Sequence, residues 1–175
     1  MINTAEEIRL TFPFGFRDRV FATFLLTSQR MLSIVLAAAF PTIGIAVLLL
    51  AWMTGRPLDV QVWAVVSACL AFYPLTNVVG IGLSHITRPH MREPFTYLFD
   101  DAGIHVSATS YEFTHRWSTI SRVKKLGAYL MFFYAPGCAH CVPLGVIREA
   151  GALQSLLVMA RANGARTDLN TESLA

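Results

Sequence analysis

Two long stretches without charge divide the chain. Met31 to Gly55 contains no Asp, Glu, Lys or Arg. Val60 to Thr87 contains none either, and His85 is its only basic side chain. At 1.5 Å per residue, about 20 apolar residues carry an α-helix across a ~30 Å hydrocarbon core. Each stretch is longer than that, and neither shows the polar stripe at period 3.6 that marks a helix on a soluble core. The pattern predicts two transmembrane helices, at about 31–54 and 60–86. The short link TGRPLD makes them antiparallel neighbours, a hairpin spanning 31–87. Pro41 and Pro74 fall inside the helices, where a bilayer tolerates them as kinks. Ser33, Ala37, Pro41 and Gly44 on the first helix, and Gly80 and Ser84 on the second, are small residues at three- and four-residue steps, which predicts close backbone approach. Asn77 is the strongly polar side chain of the second helix and is expected to hydrogen-bond between helices.

The flanks follow other periods. Ile8, Leu10, Phe12, Phe14 and Phe16 alternate with Arg9, Thr11, Pro13 and Gly15, the period of a strand with one apolar face. Pro13 assigns it to a sheet edge. RDRVFATFLLTSQR predicts an amphipathic helix at the interface or running into the first membrane helix, so that 1–30 forms an N-terminal unit of strand and helix. After the hairpin, RPHMREP is a proline-bounded linker. Residues 95–147 then read as β-rich: FTYLF, a DDAG turn, IHVSAT, YEFTHRW, STISRVKKLGA, YLMFFYA, a PGCAH turn and CVPLGVI as the last strand. A helix over 148–163 presents Leu153, Leu156, Leu157 and Ala160 on one face, with Gly164 as its stop. Residues 164–175 are polar and predicted to be disordered. The expected class is an α+β membrane protein: a helical hairpin plus a small antiparallel β domain over 95–163, closed by a C-terminal helix. The N-terminal strand lies on the same side as that domain, where it would cover an open sheet edge.

Charge orients this arrangement. Only 14% of the 175 residues are charged, against about 25% in soluble domains. Arg17, Arg19 and Arg30 precede the first membrane helix, Arg88 and Arg92 follow the second, and the link carries Arg56 offset by Asp59. The positive-inside bias therefore puts both termini in the cytoplasm, while Trp52 and Trp63 suit the opposite interface. A cleaved secretory signal is not expected, because the apolar run starts near residue 31, after Glu6, Glu7 and Asp18. The net charge of +3 is concentrated in a membrane-proximal belt that attracts anionic lipid. Arg88, Arg92, Arg122, Lys124 and Lys125 are the candidate lipid- or partner-binding residues. No basic cluster with interleaved aromatics speaks for nucleic acid.

Phe99-Asp100-Asp101-Ala102-Gly103-Ile104, then Phe113 with Trp117, Ile120 and Val123, then Tyr129-Leu130-Met131-Phe132-Phe133, Val142-Pro143 and the terminal helix stand in a familiar order behind two membrane helices. In this the chain resembles the YcxB-like family of bacterial membrane proteins. Leu144 stands where that family often carries a basic residue. The resemblance implies a C-terminal domain of pleckstrin-homology type and a place in the bacterial inner membrane. It implies no chemistry.

Cys138-Ala139-His140-Cys141 is the sharpest chemical feature. A C-x-x-C pair is half of a zinc site or a redox dithiol. Zinc needs about four ligands, which here would have to come from His115 or His105 on other strands. A thioredoxin-type pair opens a helix, whereas this pair lies between strands. The bland alternative, a turn and strand carrying small cysteines, is preferred. The histidines show no H-x-x-x-H or H-E-x-x-H spacing, and Ser107, Ser110 and Ser118 have no G-x-S-x-G setting. The expectation is an interaction or regulatory module without a cofactor and not an enzyme. Its partners would be the membrane, a protein or a second copy, and anionic lipid. The alternatives are metal or thiol chemistry at Cys138, His140 and Cys141, an oligomeric channel or carrier built from hairpins around Asn77, and a membrane protein of immunity type.

Overall fold

The computed structural model describes residues 7–55, 57–88 and 93–167. Arg92, most of the RPHMREP linker and residues 168–175 of the predicted tail lie outside them.

Strand β1 (Ile8–Pro13) buries Ile8, Leu10 and Phe12 and exposes the residues between them, as its alternation requires. It pairs antiparallel with β2 (Pro94–Phe99), in register from Ile8 opposite Phe99 to Pro13 opposite Pro94. The N-terminal strand thus joins the C-terminal domain. Neither proline can donate to a ladder, and their pairing falls at the end of both strands. β2 turns into β3 (Gly103–Ala108), which pairs with β4 (Tyr111–Arg116), giving a sheet of order β1-β2-β3-β4. The turn between β2 and β3 is built on Asp100. Its Oδ1 accepts from the amides of Ala102 and Gly103, its Oδ2 meets His105 Nε2 at 2.9 Å, and its carbonyl accepts from the Trp117 indole at 2.6 Å. Partial burial alone would raise the Asp100 carboxyl, but these hydrogen bonds hold it below its ordinary value. Gly103 is required here because a Cβ would run into the His115 carbonyl across the ladder.

A 3-10 turn at Trp117–Thr119 leads to the second sheet. It contains β5 (Arg122–Leu126), β6 (Tyr129–Ala135), β7 (Cys138–Pro143) and the short β8 (Arg166–Thr167), in the order β7-β6-β5-β8. All pairs are antiparallel except β5 with β8, which is parallel and was not foreseen from the pattern. The inner faces of the two sheets share one core, in which Phe99 meets Phe132 at 5.3 Å between ring centroids.

Two boundaries differ from the pattern-based expectation. CVPLGVI does not continue as strand: β7 stops at Pro143, and Leu144–Glu149 is a short helix, α4, that buries Leu144 and Ile147 at helical spacing. The predicted helix over 148–163 is broken at Gly151 (φ 63°). Only Leu153–Ala162, α5, forms its second part and buries Leu156, Leu157 and Ala160. A positive φ ends a right-handed helix, and glycine adopts it without steric cost.

Among the described residues, three helices lie between β1 and β2. α2 (Met31–Met53) and α3 (Val60–Thr87) are both long and apolar enough to cross a membrane. They pack on each other where Gly44 lies against Val66 and Cys69, and Phe40 meets Phe72 at 4.4 Å. Asn77 does not bridge the helices. Its amide donates to the Tyr73 carbonyl one turn earlier in α3. Gly80 and Ser84 do not form the helix–helix seam either, as shown below. α1 (Phe16–Thr27) ends in a turn before α2 and does not run into it. Ala22, Leu25 and Leu26 cover the outer face of the second sheet at Tyr129, Met131 and Phe133, while Phe16 reaches α3 at Gly82 and His85. Asp18 accepts from the Tyr129 hydroxyl at 2.7 Å and from the Gly15 amide at 3.2 Å, pinning the first turn of α1 to β6.

Because β1 supplies Leu10 and Phe12 to the core, Phe12→Ala is expected to destabilise the β domain by about 3–5 kcal/mol. Limited proteolysis of the full chain should show this as faster cleavage within 94–167. Exposed Thr11→Ala should leave the cleavage pattern unchanged.

Candidate functional site

A cavity of about 360 Å³ lies where α1 passes under the end of α3 beside β7. α1 contributes Arg19, Thr23 and Leu26, and α3 contributes Gly80, Ile81 and Ser84. The first sheet presents Phe95, Tyr97, Tyr111 and Phe113, and β7 presents Ala139 and Cys141. Among the described residues, Arg19 is the one charged residue of the wall. Its guanidinium sits 5.5 Å from the Phe14 ring centroid and 5.4 Å from that of Phe95, a cation–π arrangement on two rings. Burial lowers the Arg19 pKa, partly opposed by Tyr111 and Tyr97. Burial also pushes the Tyr97 and Tyr111 hydroxyls upward, so at neutral pH both remain protonated. The cavity therefore combines a fixed positive charge, hydroxyl groups and a mainly apolar, aromatic lining, the mixture found in ligand sites.

The cysteine–histidine segment lies in strand β7 and not in a turn. The turn is Pro136-Gly137, with Gly137 at φ 67° and the Arg30 side chain laid across it. Arg30 donates to the Gly137 carbonyl at 3.2 Å and to Cys138 Sγ at 3.1 Å. His140 and Cys141 are consecutive in the strand and face opposite ways. Cys141 packs with Ala22 of α1. His140 hydrogen-bonds His115 at 2.8 Å between Nε2 and Nδ1, among the rings of Tyr97, Phe113 and Tyr134. Burial and the neighbouring His115 push the His140 imidazole down to about 3, and burial pushes the Cys141 thiol up to about 12. A thiol raised in this way is a weak nucleophile. Among the described residues no three His, Cys, Asp or Glu side chains converge as metal ligands.

The basic candidates are dispersed. Arg88 is exposed at the foot of α3. On β5, Val123 is fully buried, so alternation puts Arg122 and Lys124 on one face and Lys125 on the other. The Arg122 guanidinium lies 4.4 Å from the Phe133 ring centroid. The three residues do not form a single patch. In the sequence Arg19 falls in the basic flank that precedes α2. Its place in the wall has a sequence signal, because Arg19, Thr23 and Leu26 recur at helical spacing on one face of α1.

Residues 99–157 match the model of the family described as YcxB-like protein. This segment is similar to the YcxB-like family over about a third of the chain. No curated protein and no solved structure matches the chain. The YcxB-like segment runs from the end of β2 into α5. It supplies the Tyr111, Phe113 and Cys141 side of the cavity, whereas Arg19 and the α3 wall lie outside it.

The His140 geometry carries a pH dependence. Its folded pKa of about 3 lies below the ordinary 6.5, so as pH falls through 6.5 the unfolded chain takes up the proton first and the folded state loses stability. Between about pH 7 and pH 5 this group alone should remove ~2 kcal/mol. Denaturant melts of the wild type should show that loss, and His140→Phe should give a flatter profile over the same interval.

Proposed function

We propose that this chain is a membrane-anchored interaction or regulatory module of the bacterial inner membrane. Its hairpin spans the bilayer, both termini are cytoplasmic, and its β domain has the pleckstrin-homology type of architecture. The observation that carries this reading is the exposure of α2 and α3. Leu32, Ile34, Leu49, Leu50, Val79 and Leu83 are all more than half exposed on helices free of charge. Among the described residues no protein layer covers this surface, and lipid would. Two four-stranded sheets with α5 packed on their shared core support the domain type. The arginines at 17, 19, 30 and 88 stand at the domain end of the hairpin, which supports a cytoplasmic domain. Binding, rather than catalysis, is the activity proposed. The cavity between hairpin and domain is a ligand-sized site, and the buried imidazole and thiol of β7 are both held in their neutral forms.

Two measurements test this. The protein should stay in the membrane fraction through alkaline carbonate extraction, and release into the supernatant would refute the anchor. In intact cells a membrane-impermeant maleimide should label Asp59→Cys in the link. Glu149→Cys on α4 should be labelled only after the cells are opened. The reverse pattern would invert the orientation.

A further inference from the structure

The cavity is placed where a membrane lipid could reach it. With Trp63 at the far interface, about 20 helical residues bring the near interface to the neighbourhood of Leu83. Gly80, Ile81 and Ser84, the α3 wall, lie at that level. The opposite wall is the β domain, held close by α1. A ligand there would have one end toward the acyl region along α3 and the other against the domain.

The lining is divided to match. Ile81, Leu26 and Phe113 are apolar, while Arg19, Tyr97, Tyr111, Thr23 and Ser84 bring polar groups. Among the described residues the wall contains no Asp or Glu. Its one formal charge is positive, and Arg19 is held between two aromatic rings, so that charge has a fixed position. A fixed guanidinium beside neutral hydroxyl donors suits a phosphate or carboxylate. A neutral or zwitterionic head gains less there. The volume of about 360 Å³ lies at the small end of ligand pockets, which run from ~300 to 1,000 Å³. It would hold a head and the first part of a chain, with the remainder in the bilayer.

We infer that this cavity binds one anionic membrane lipid, its acidic head at Arg19 and its chain leaving along Gly80 and Ile81 of α3. The inference rests on the membrane reading above and names the ligand class of that module.

Gly80 offers a clean test. An added Cβ there meets nothing within 4 Å, so the side chain of Gly80→Leu starts into open space and fills the cavity from the helix side. Leucine is also the better helix former. The full-length protein in mild detergent would be titrated with phosphatidylglycerol and, separately, with phosphatidylcholine, and bound lipid counted by native mass spectrometry. The wild type should hold one phosphatidylglycerol, at least tenfold more tightly than phosphatidylcholine. Gly80→Leu should melt no lower than wild type and weaken phosphatidylglycerol tenfold or more. Arg19→Gln should reduce the preference for the anionic lipid. Arg9→Gln, an equal charge change on the exposed side of β1, should bind as wild type does.

Equal retention of both lipids by the wild type would overturn the inference, as would undiminished binding by Gly80→Leu. Equally tight binding of water-soluble glycerol phosphate would show that a soluble anion, not a lipid, is the ligand. These outcomes leave the anchor untouched, since carbonate extraction reads it independently. A protein that resists extraction but holds no lipid fails here alone.

Discussion

The structure depends on the pairing of β1 with β2, two strands separated in sequence by the whole hairpin. Pro13 stands opposite Pro94 in this ladder, so the chain leaves the sheet and returns to it at neighbouring positions. An even number of long helices must intervene, and both ends of the hairpin must lie at the domain. The hairpin is in this sense an insertion between the first two strands of a sheet. The domain is not a separate body on a linker, because Leu10 and Phe12 from before the hairpin help to fill its core.

α1 turns this connection into a joint with fixed geometry. It is held to β6 through Asp18 and Tyr129, it covers the outer face of the second sheet, and its first residue contacts α3. Arg30, at the start of α2, is fastened to the β6–β7 turn. A helix packed on two sides has little room for a solvated polar face, which accounts for the scattered apolar residues of α1. The cavity is what remains where α1, α3 and the overhanging first sheet cannot all close on one another.

The hairpin and the strands were legible in the sequence because each rests on a local signal: absence of charge over more than 20 residues, or alternation at period 2. The errors came where tertiary context overrode those signals. Gly151 breaks a helix whose apolar spacing continues on both sides of it. Leu144 and Ile147 fold back as a helical turn to reach the core, although their composition suits a strand. Asn77 serves its own helix, and Gly80 and Ser84 face a cavity that no spacing rule reveals. Arg19 has the composition of a topological flank. The approach of Phe14 and Phe95, one on each side of the hairpin in sequence, gives it a defined environment.

The cysteine–histidine segment illustrates why a motif needs a backbone before it has chemistry. In a turn or at a helix start, Cys138, His140 and Cys141 could have converged. In an extended strand, adjacent side chains point to opposite faces. His140 is therefore drawn among aromatic rings while Cys141 packs beneath α1, and Arg30 holds Cys138. Burial favours the neutral form of both the imidazole and the thiol. That neutrality suits the location, because each group lies in a packed aromatic or apolar layer where a charge would need a partner. The fixed charge at the junction is instead Arg19, whose guanidinium tolerates partial burial better than an ammonium because it is weakly hydrated and stacks on rings. Where the domain meets the hairpin, the fold places guanidinium groups, Arg19 at the cavity and Arg30 at the β6–β7 turn, and not a titrating group.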